Sequence, residues 1–583
     1  MDSKNMSSYT KVSSLLGTRW SPTITWLKGL SLSQGSYSSF LLSLLALYVF
    51  MFLLFQTTGE SMVILCATVI LDLFLILWLA TRRFALSSFI VAFILVILYA
   101  SGIYKRQMLD TPLLVHDIYF FFQDFSQNVT TFFQYPRIMM TTLGLLSLFV
   151  MGAIAIYRRE SPSTVTRAIA MTTITFICLS AKPVASSYSS LTAKDMFDQV
   201  ELIGNQSDYL SKFISSFAIL NSDVDVDQLP MNQFQLGPVS NDNSKADIIA
   251  ILHESAFDLT SIKGCPTYFC NINLFKEDAN TIQSGFLKVH SFGGGTWLSE
   301  FAFLTGLDHR VFGDNGVYAP YTVTPRLNNS LIKNLKDQGY RTIAINPING
   351  DFLHASEAYK HLGFDEIYAS EQLGFSDEWL DVYDAHVYEK AIEFIKKSDP
   401  HTPLFVFMLT IQNHGPHNSY LNHNEPIVAL NEDFQPKDLL EVYRQRYVQS
   451  ITDIAQFEKF LLQRKKKTVV VRFGDHQPSF GGKVEDLEFN YPPSFNPKDK
   501  NYFTKYIIKT NFRSRHFYSS SHQDISLLSS DALKQAGVEM NQLFRANQTL
   551  KKKCHGLYLD CEDHKVFQNY LGFVLGRLKV YEP

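Results

Sequence analysis

Three apolar runs in this chain each open onto side chains that bind metals or move protons. DIIAILHESAFD delivers His253 and Glu254, PLFVFMLTIQNHGPH delivers His414 and His417, and TVVVRFGDHQP delivers Asp475 and His476. A further stretch, SFGGGTWLSEFAFLTGL, sets three consecutive glycines before one hydroxyl, Thr296, with Trp297 beside it and Glu300 four residues on. A threonine hydroxyl attacks poorly at neutral pH unless a base or a metal lowers its pKa. Glu254, Asp475 and His476 are oxygen and imidazole donors of the kind a catalytic divalent ion takes while keeping one position open for substrate. An ion held there would favour the Thr296 alkoxide and polarise a phosphoryl oxygen. His414 could contact a phosphate oxygen or protonate the departing group. Each feature alone has a plainer reading: a threonine N-cap after a glycine loop, a strand that merely ends at His253 and Glu254, a turn at Gly415–Pro416. Their joint occurrence at several strand ends points instead to one cleft.

The elements that must position these residues are legible in the spacing. Short β-rich runs, DIIAIL, RTIAIN, PLFVFMLTI and TVVVRFG, alternate with helical stretches such as SLIKNLKDQG and DAHVYEKAIEFIKKS. That alternation predicts an α/β domain with a mainly parallel sheet covered on both faces. In such sheets ligands gather beyond the carboxyl ends of the strands, where the His, Asp and Glu residues lie.

The first part of the chain is of another kind. Phe40 to Phe55, Met62 to Ala80, Phe84 to Ile103 and Met140 to Tyr157 are nearly unbroken apolar runs, and a weaker one covers Ala168 to Ser180. Runs of about 18 or more apolar residues are long enough to span a bilayer. The expectation is an α-helical membrane domain of about five spans, with Asp72 inside the second as a candidate functional carboxylate. Lys4, Lys11, Arg19 and Lys28, then Arg82 and Arg83, then Arg158, Arg159 and Arg167 mark the cytoplasmic segments. Five spans put everything after about Lys182 outside; four would put it inside. Cys265 with Cys270 and Cys554 with Cys561 form two close pairs that could be disulfides or metal ligands. Neither has CxxC zinc spacing, so disulfides in an oxidising compartment are preferred, which supports five spans. No cleavable signal peptide is evident. The aromatic-rich outward segment from Leu113 to Met139 reads as an interfacial helix. These signals divide the chain into a transmembrane domain (1–182), a connector (183–245) containing one amphipathic stretch, SDYLSKFISSFAIL, and a catalytic domain (246–583). The net charge of -3 argues against nucleic acid as a partner.

HES, GGGTWLSEFAFLTGL, QNHGPH and GDHQP, in that order, resemble the sulfatase-type domain of the alkaline phosphatase superfamily. Lipoteichoic acid synthases, phosphoglycerol transferases and phosphoethanolamine transferases share the plan of membrane helices followed by an outer catalytic domain. The resemblance covers about Asp247 to Val538. It implies that Glu254, Thr296, Asp475 and His476 bind a divalent metal, manganese or zinc, and that Thr296 is transiently phosphorylated. It also implies that His414 lies in the substrate pocket. His253, Trp297 and His417 are further candidate contacts from their position, and His522 is another, from the segment SSSHQDISLLSSDALKQAGV, which resembles the family's late segment. Two departures stand out. The C-x-P-x-R site of true sulfatases is replaced by the threonine segment, which speaks against sulfate-ester hydrolysis. Leu353 and Ala355 stand where the glycerol-phosphate-gripping stretch of lipoteichoic acid synthases carries tryptophan and arginine. The implied function is a multi-pass enzyme of the bacterial inner (plasma) membrane, its catalytic domain facing the periplasm or outside. It would move a phosphoethanolamine or phosphoglycerol headgroup from a phospholipid donor to an envelope glycan or glycolipid. The alternative is a metal-dependent phosphodiesterase or phosphatase in which water resolves the intermediate.

Overall fold

The computed structural model describes residues 60–109, 111–123, 136–163 and, short gaps aside, 244–582, with isolated residues between 171 and 237. The chain falls into two compact units, Met1–Ala100 with Phe132–Ser187, and Ser101–Thr131 with Tyr188–Pro583.

Among the described residues the first unit is mainly helical. Its elements are α1 (Glu60–Thr81), most of α2 (Phe84–Leu109) and α4 (Pro136–Arg159), while α3 (Val115–Gln123) belongs to the second unit. Among the described residues two helices are long and apolar enough to cross a bilayer, α2 and the Met139–Arg159 part of α4; the Val69–Thr81 part of α1 is shorter. The expected spans at Phe40 to Phe55 and Ala168 to Ser180 fall wholly or almost wholly outside the described residues, as does SDYLSKFISSFAIL apart from Phe213. Phe149 of α4 stacks on Phe93 of α2 at 3.8 Å between ring centroids. The start of α2 would leave its first amide groups without partners; the Glu160 carboxylate accepts from Ala85 N at 2.8 Å and Leu86 N at 3.0 Å.

The second unit is built on one eight-stranded sheet: β1 (Asp247–His253), β2 (Thr281–Lys288), β3 (Arg341–Ile345), β4 (Glu366–Tyr368), β5 (Leu404–Leu409), β6 (Thr468–Gly474), β7 (Phe503–Thr510) and β8 (His522–Asp524). The strand order is β4-β3-β5-β1-β6-β7-β2-β8. Strand β1 is central and parallel to both neighbours, with Ile249 level with Val406 and Val470. Because side chains alternate along a strand, Ile248, Ala250 and Leu252 pack on one face and Ile249 and Ile251 on the other. The first face is covered by α5 (Thr296–Thr305), α6 (Leu331–Asp337) and α7 (Ala355–Leu362), through Phe301, Leu335 and Tyr359. The second is covered by α8 (Asp384–Lys397) and α9 (Lys437–Leu462), through Val387 and Tyr447. Helix α10 (Leu528–Ala536) joins the first layer through Leu533.

The sheet is mainly parallel, as expected, but mixed: five of its seven strand pairings are parallel and two antiparallel. Strand β7 runs antiparallel to both β6 and β2. The reason lies in the connection: β6 is followed by a long loop rather than a crossover helix, and a strand that returns without a crossover pairs antiparallel. Leu229 and Phe234, within the expected connector, lie in the core of this unit. Both close cysteine pairs, Cys265–Cys270 and Cys554–Cys561, are disulfide-bonded.

Candidate active site

Glu254 follows β1 directly, and Asp475 and His476 follow the neighbouring strand β6. Parallel pairing of these two strands therefore sets the three residues side by side. Each offers one ligand atom, all within 4.8 Å of one another, and all three side chains are buried. His476 Nε2 lies 3.2 Å from Asp475 Oδ2 and 3.6 Å from Glu254 Oε1. The other ring nitrogen, Nδ1, is 3.0 Å from the Gln477 carbonyl. A carbonyl only accepts, so Nδ1 carries the proton and the Nε2 lone pair faces the acids.

Thr296 is the first residue of α5, so its hydroxyl sits at the positive end of a helix, which favours negative charge there. Its Oγ1 donates to Glu254 Oε2 at 3.2 Å and lies 3.4 Å from His476 Nε2. The glycines before it have two separate causes. Gly295 caps the helix with φ 81°, a left-handed conformation. Gly293, with φ 68°, passes so close to another part of the same unit that a Cβ there would lie 1.9 Å from the Met108 carbonyl oxygen. No other residue type fits that passage.

Adjacent groups fix the acids. Ser255 Oγ donates to Glu254 Oε1 at 2.7 Å and Ser255 N to Asp475 Oδ1 at 2.7 Å. Burial pushes the Glu254 carboxyl above its ordinary range, reinforced by the nearby Asp475. Burial also lifts Asp475 to about 7, and it lowers His476. Asp475 Oδ2 is buried without a hydrogen-bond donor.

Residues 247–538, just over half of the chain, match the family model described as Sulfatase. The chain belongs to the sulfatase family. An uncharacterised protein of Haemophilus influenzae is similar, 28% identical over 351 residues that make up 58% of this chain and 62% of that protein. A putative cyclic beta-1,2-glucan modification protein of Rhizobium meliloti is 27% identical over 263 residues, 43% of this chain and 38% of that one. The chain thus matches less than two thirds of the length of either relative. Among solved structures, the Streptococcus pyogenes phosphoglycerol transferase GacH in complex with sn-glycerol-1-phosphate is 22% identical, with 59% of this chain and 91% of that one covered and a TM-score of 0.47. The integral membrane protein lipooligosaccharide phosphoethanolamine transferase A of Neisseria meningitidis is 12% identical, with 79% and 89% covered and a TM-score of 0.46.

The donor set of this sulfatase-family domain fits a divalent cation. Two carboxylates forced together out of water repel each other, and one of their oxygens has no donor; a cation answers both. The other candidate residues are placed variously. His414 is half-buried in the loop after β5, its Nδ1 2.6 Å from the Gly415 carbonyl, and it is near enough to stabilise the charged form of Glu254. Trp297 donates from Nε1 to the Val317 carbonyl at 2.8 Å and stacks on Tyr318. The buried His253 is edge-on to Phe275, with Nε2 3.4 Å from Arg472 Nε. His417 contacts Tyr443 and Phe480, and its Nε2 donates to the Asn413 carbonyl at 2.9 Å. Burial lowers its pKa to about 3, so the ring is neutral at physiological pH. His522 lies on β8, level with Phe286 of β2.

Sequence reasoning passed over several neighbours. Ser255 stands in the HES motif, where its adjacency to Glu254 is the one signal that could have found it. Tyr318, stacked on Trp297, donates a short hydrogen bond to Asp117 of α3, and Lys105 Nζ holds the same carboxylate at 2.6 Å and 2.8 Å. Glu300, visible in the sequence four residues after Thr296 but given no role there, accepts a short hydrogen bond from Tyr359 and is lifted to about 7 by burial.

Proposed function

We propose that this chain is a membrane-anchored phosphotransferase in which Thr296 carries the phosphoryl group between a phospholipid donor and an envelope glycan or glycolipid. The observation that carries the reading is the placement of the Thr296 hydroxyl at the head of α5, 3.2 Å from Glu254 and 3.4 Å from His476. Glu254, Asp475, His476 and Thr296 would hold the divalent ion, manganese or zinc. When bound, it lowers the pKa of the hydroxyl and neutralises charge on a phosphoryl oxygen. Thr296 Oγ then forms a bond to phosphorus as the bond from phosphorus to the diacylglycerol oxygen breaks. The amide groups at the start of α5 face the resulting phosphothreonine, a favourable site for an anion. His414 would contact the phosphoryl oxygens or hand a proton to the departing alcohol. In the second half an acceptor hydroxyl attacks phosphorus and Thr296 is released. Membership of the sulfatase family with threonine at this position supports ester chemistry at phosphorus rather than sulfur. The Rhizobium meliloti relative, named for glucan modification, supports a glycan as acceptor.

The test is the mass of the intact protein after incubation with phosphatidylethanolamine or phosphatidylglycerol vesicles. Addition of one headgroup phosphate on Thr296 is expected, discharged when a glucan is added. Headgroup release that is equally fast with and without glycan would identify a hydrolase. A protein that gains no mass on either lipid would rule out the threonine intermediate.

A further inference from the structure

A second buried group of metal-binding side chains lies apart from the residues assigned to the reaction. His290, Asp308 and His309 offer ligand atoms within 4.8 Å of one another, all from buried residues. Asp524 joins them. Its two carboxylate oxygens lie 3.0 Å and 2.9 Å from His290 Nε2, and Asp308 Oδ2 lies 3.3 Å from the same nitrogen. One N–H cannot point at three carboxylate oxygens at once, whereas a divalent cation can attract all of them together. His309 Nδ1 lies 3.7 Å from Asp308 Oδ1 and is buried without a hydrogen-bond partner.

The surrounding charge leans the same way. Arg310 grips the outer side of Asp308, with NH2 2.6 Å from Oδ2, and Lys288 is shared by Asp499 and Asp560. Two fixed cations therefore stand among four carboxylates, Asp308, Asp524, Asp499 and Asp560. We propose that His290, Asp308, His309 and Asp524 form a second, buried divalent-cation site that takes zinc. Two imidazoles and two carboxylates suit that ion, and Arg310 would act as the outer partner that orients Asp308. The position suggests what the ion does. His290 precedes the glycine loop and Asp308 follows the helix that carries Thr296, so the ion would pin both ends of the nucleophile segment to β8.

Zinc content of the full chain in detergent, stripped with chelator, reloaded with Zn2+ and desalted, tests the proposal. His309→Gln is expected to hold about one zinc fewer per chain than wild type, and Asp475→Asn also about one fewer through the other cluster. The double variant should lose both. Equal zinc in His309→Gln and wild type overturns the site. A second measurement covers the case in which His309→Gln does not fold. Asp475→Asn, which keeps the natural second cluster, is loaded with Co2+ instead. Intense visible absorption from four-coordinate cobalt, displaced by added Zn2+, supports the site, and its absence overturns it.

Discussion

At the scale of single residues, two side chains give the sharpest tests. Thr296→Ala leaves Glu254, Asp475 and His476 in place and removes only the oxygen proposed to attack. Headgroup release is expected to fall by about 10³-fold or more, with no covalent mass gain. Thr296→Ser keeps the oxygen and should still form the adduct; intact-mass spectra of the two variants decide the point. Asp384 is a separate case. It is fully buried at the start of α8, where Ser450 Oγ donates to it at 2.7 Å, and burial lifts its carboxyl to about 7. A carboxyl with a folded pKa above its unfolded value keeps its proton in the native state after the unfolded chain has lost it. Its presence therefore costs stability progressively as pH rises between about 4 and about 7, and the cost is constant above that. Asp384→Asn imitates the protonated form, so its melting temperature relative to wild type should climb over this window. The full effect is at most about 4 kcal/mol. Melting curves at about pH 5 and about pH 8 check the sign; a gap that shrinks at the higher pH would contradict it.

Elements explain why the nucleophile segment has the sequence it does. The glycines before Thr296 are visible in the sequence as a loop, but the reason for Gly293 is not. Its neighbour is the Met108 carbonyl, far away along the chain, and no local pattern encodes that approach. Gly293→Ala is expected to cost about 2–4 kcal/mol, from overlap with the carbonyl plus a left-handed backbone. It should also lower turnover, because any relief of the overlap moves Thr296; thermal melting and headgroup release measured together check both. Tyr318 and Asp117 were illegible for the same reason. The hydroxyl and carboxylate are 201 residues apart, and Asp117 reads from sequence as an ordinary first-turn acid of a short helix. Their bond steadies the ring stacked on Trp297, next to Thr296. Tyr318→Phe and Asp117→Asn should each slow headgroup release by about 3–30-fold, and the double variant should be little worse than either single one. Effects that simply multiply would show that the two groups act independently. By contrast, the grouping of Glu254, Asp475 and His476 was legible because they lie within two residues of strands whose apolar runs mark where the chain leaves the sheet.

For the molecule as a whole, periodicity gave the alternating strands and helices, and hydropathy gave the long apolar helices. The antiparallel β7 was missed because the sequence after β6 shows a long polar loop without revealing which way the chain returns. Leu229 and Phe234 are not legible as core because they are scattered apolar residues among polar ones, prolines and a glycine, with no sustained helical or strand period, yet both are buried in the core. On the proposed function, the apolar helices would act through concentration. A phospholipid donor stays in its bilayer, so a catalyst held in the same bilayer meets it at an effective concentration set by its surface fraction. Two helices long enough to cross, Phe84–Leu109 and Met139–Arg159, are the basis for that expectation. With the protein reconstituted in vesicles, the rate should follow the mole fraction of donor in those vesicles and stay constant when total vesicle concentration is changed at fixed mole fraction. Donor supplied in separate vesicles should be consumed at least about tenfold more slowly, since each transfer then requires lipid exchange between bilayers. Equal rates from the two placements would mean that the catalytic unit reaches donor through solution, and that the apolar helices serve some purpose other than delivery of substrate.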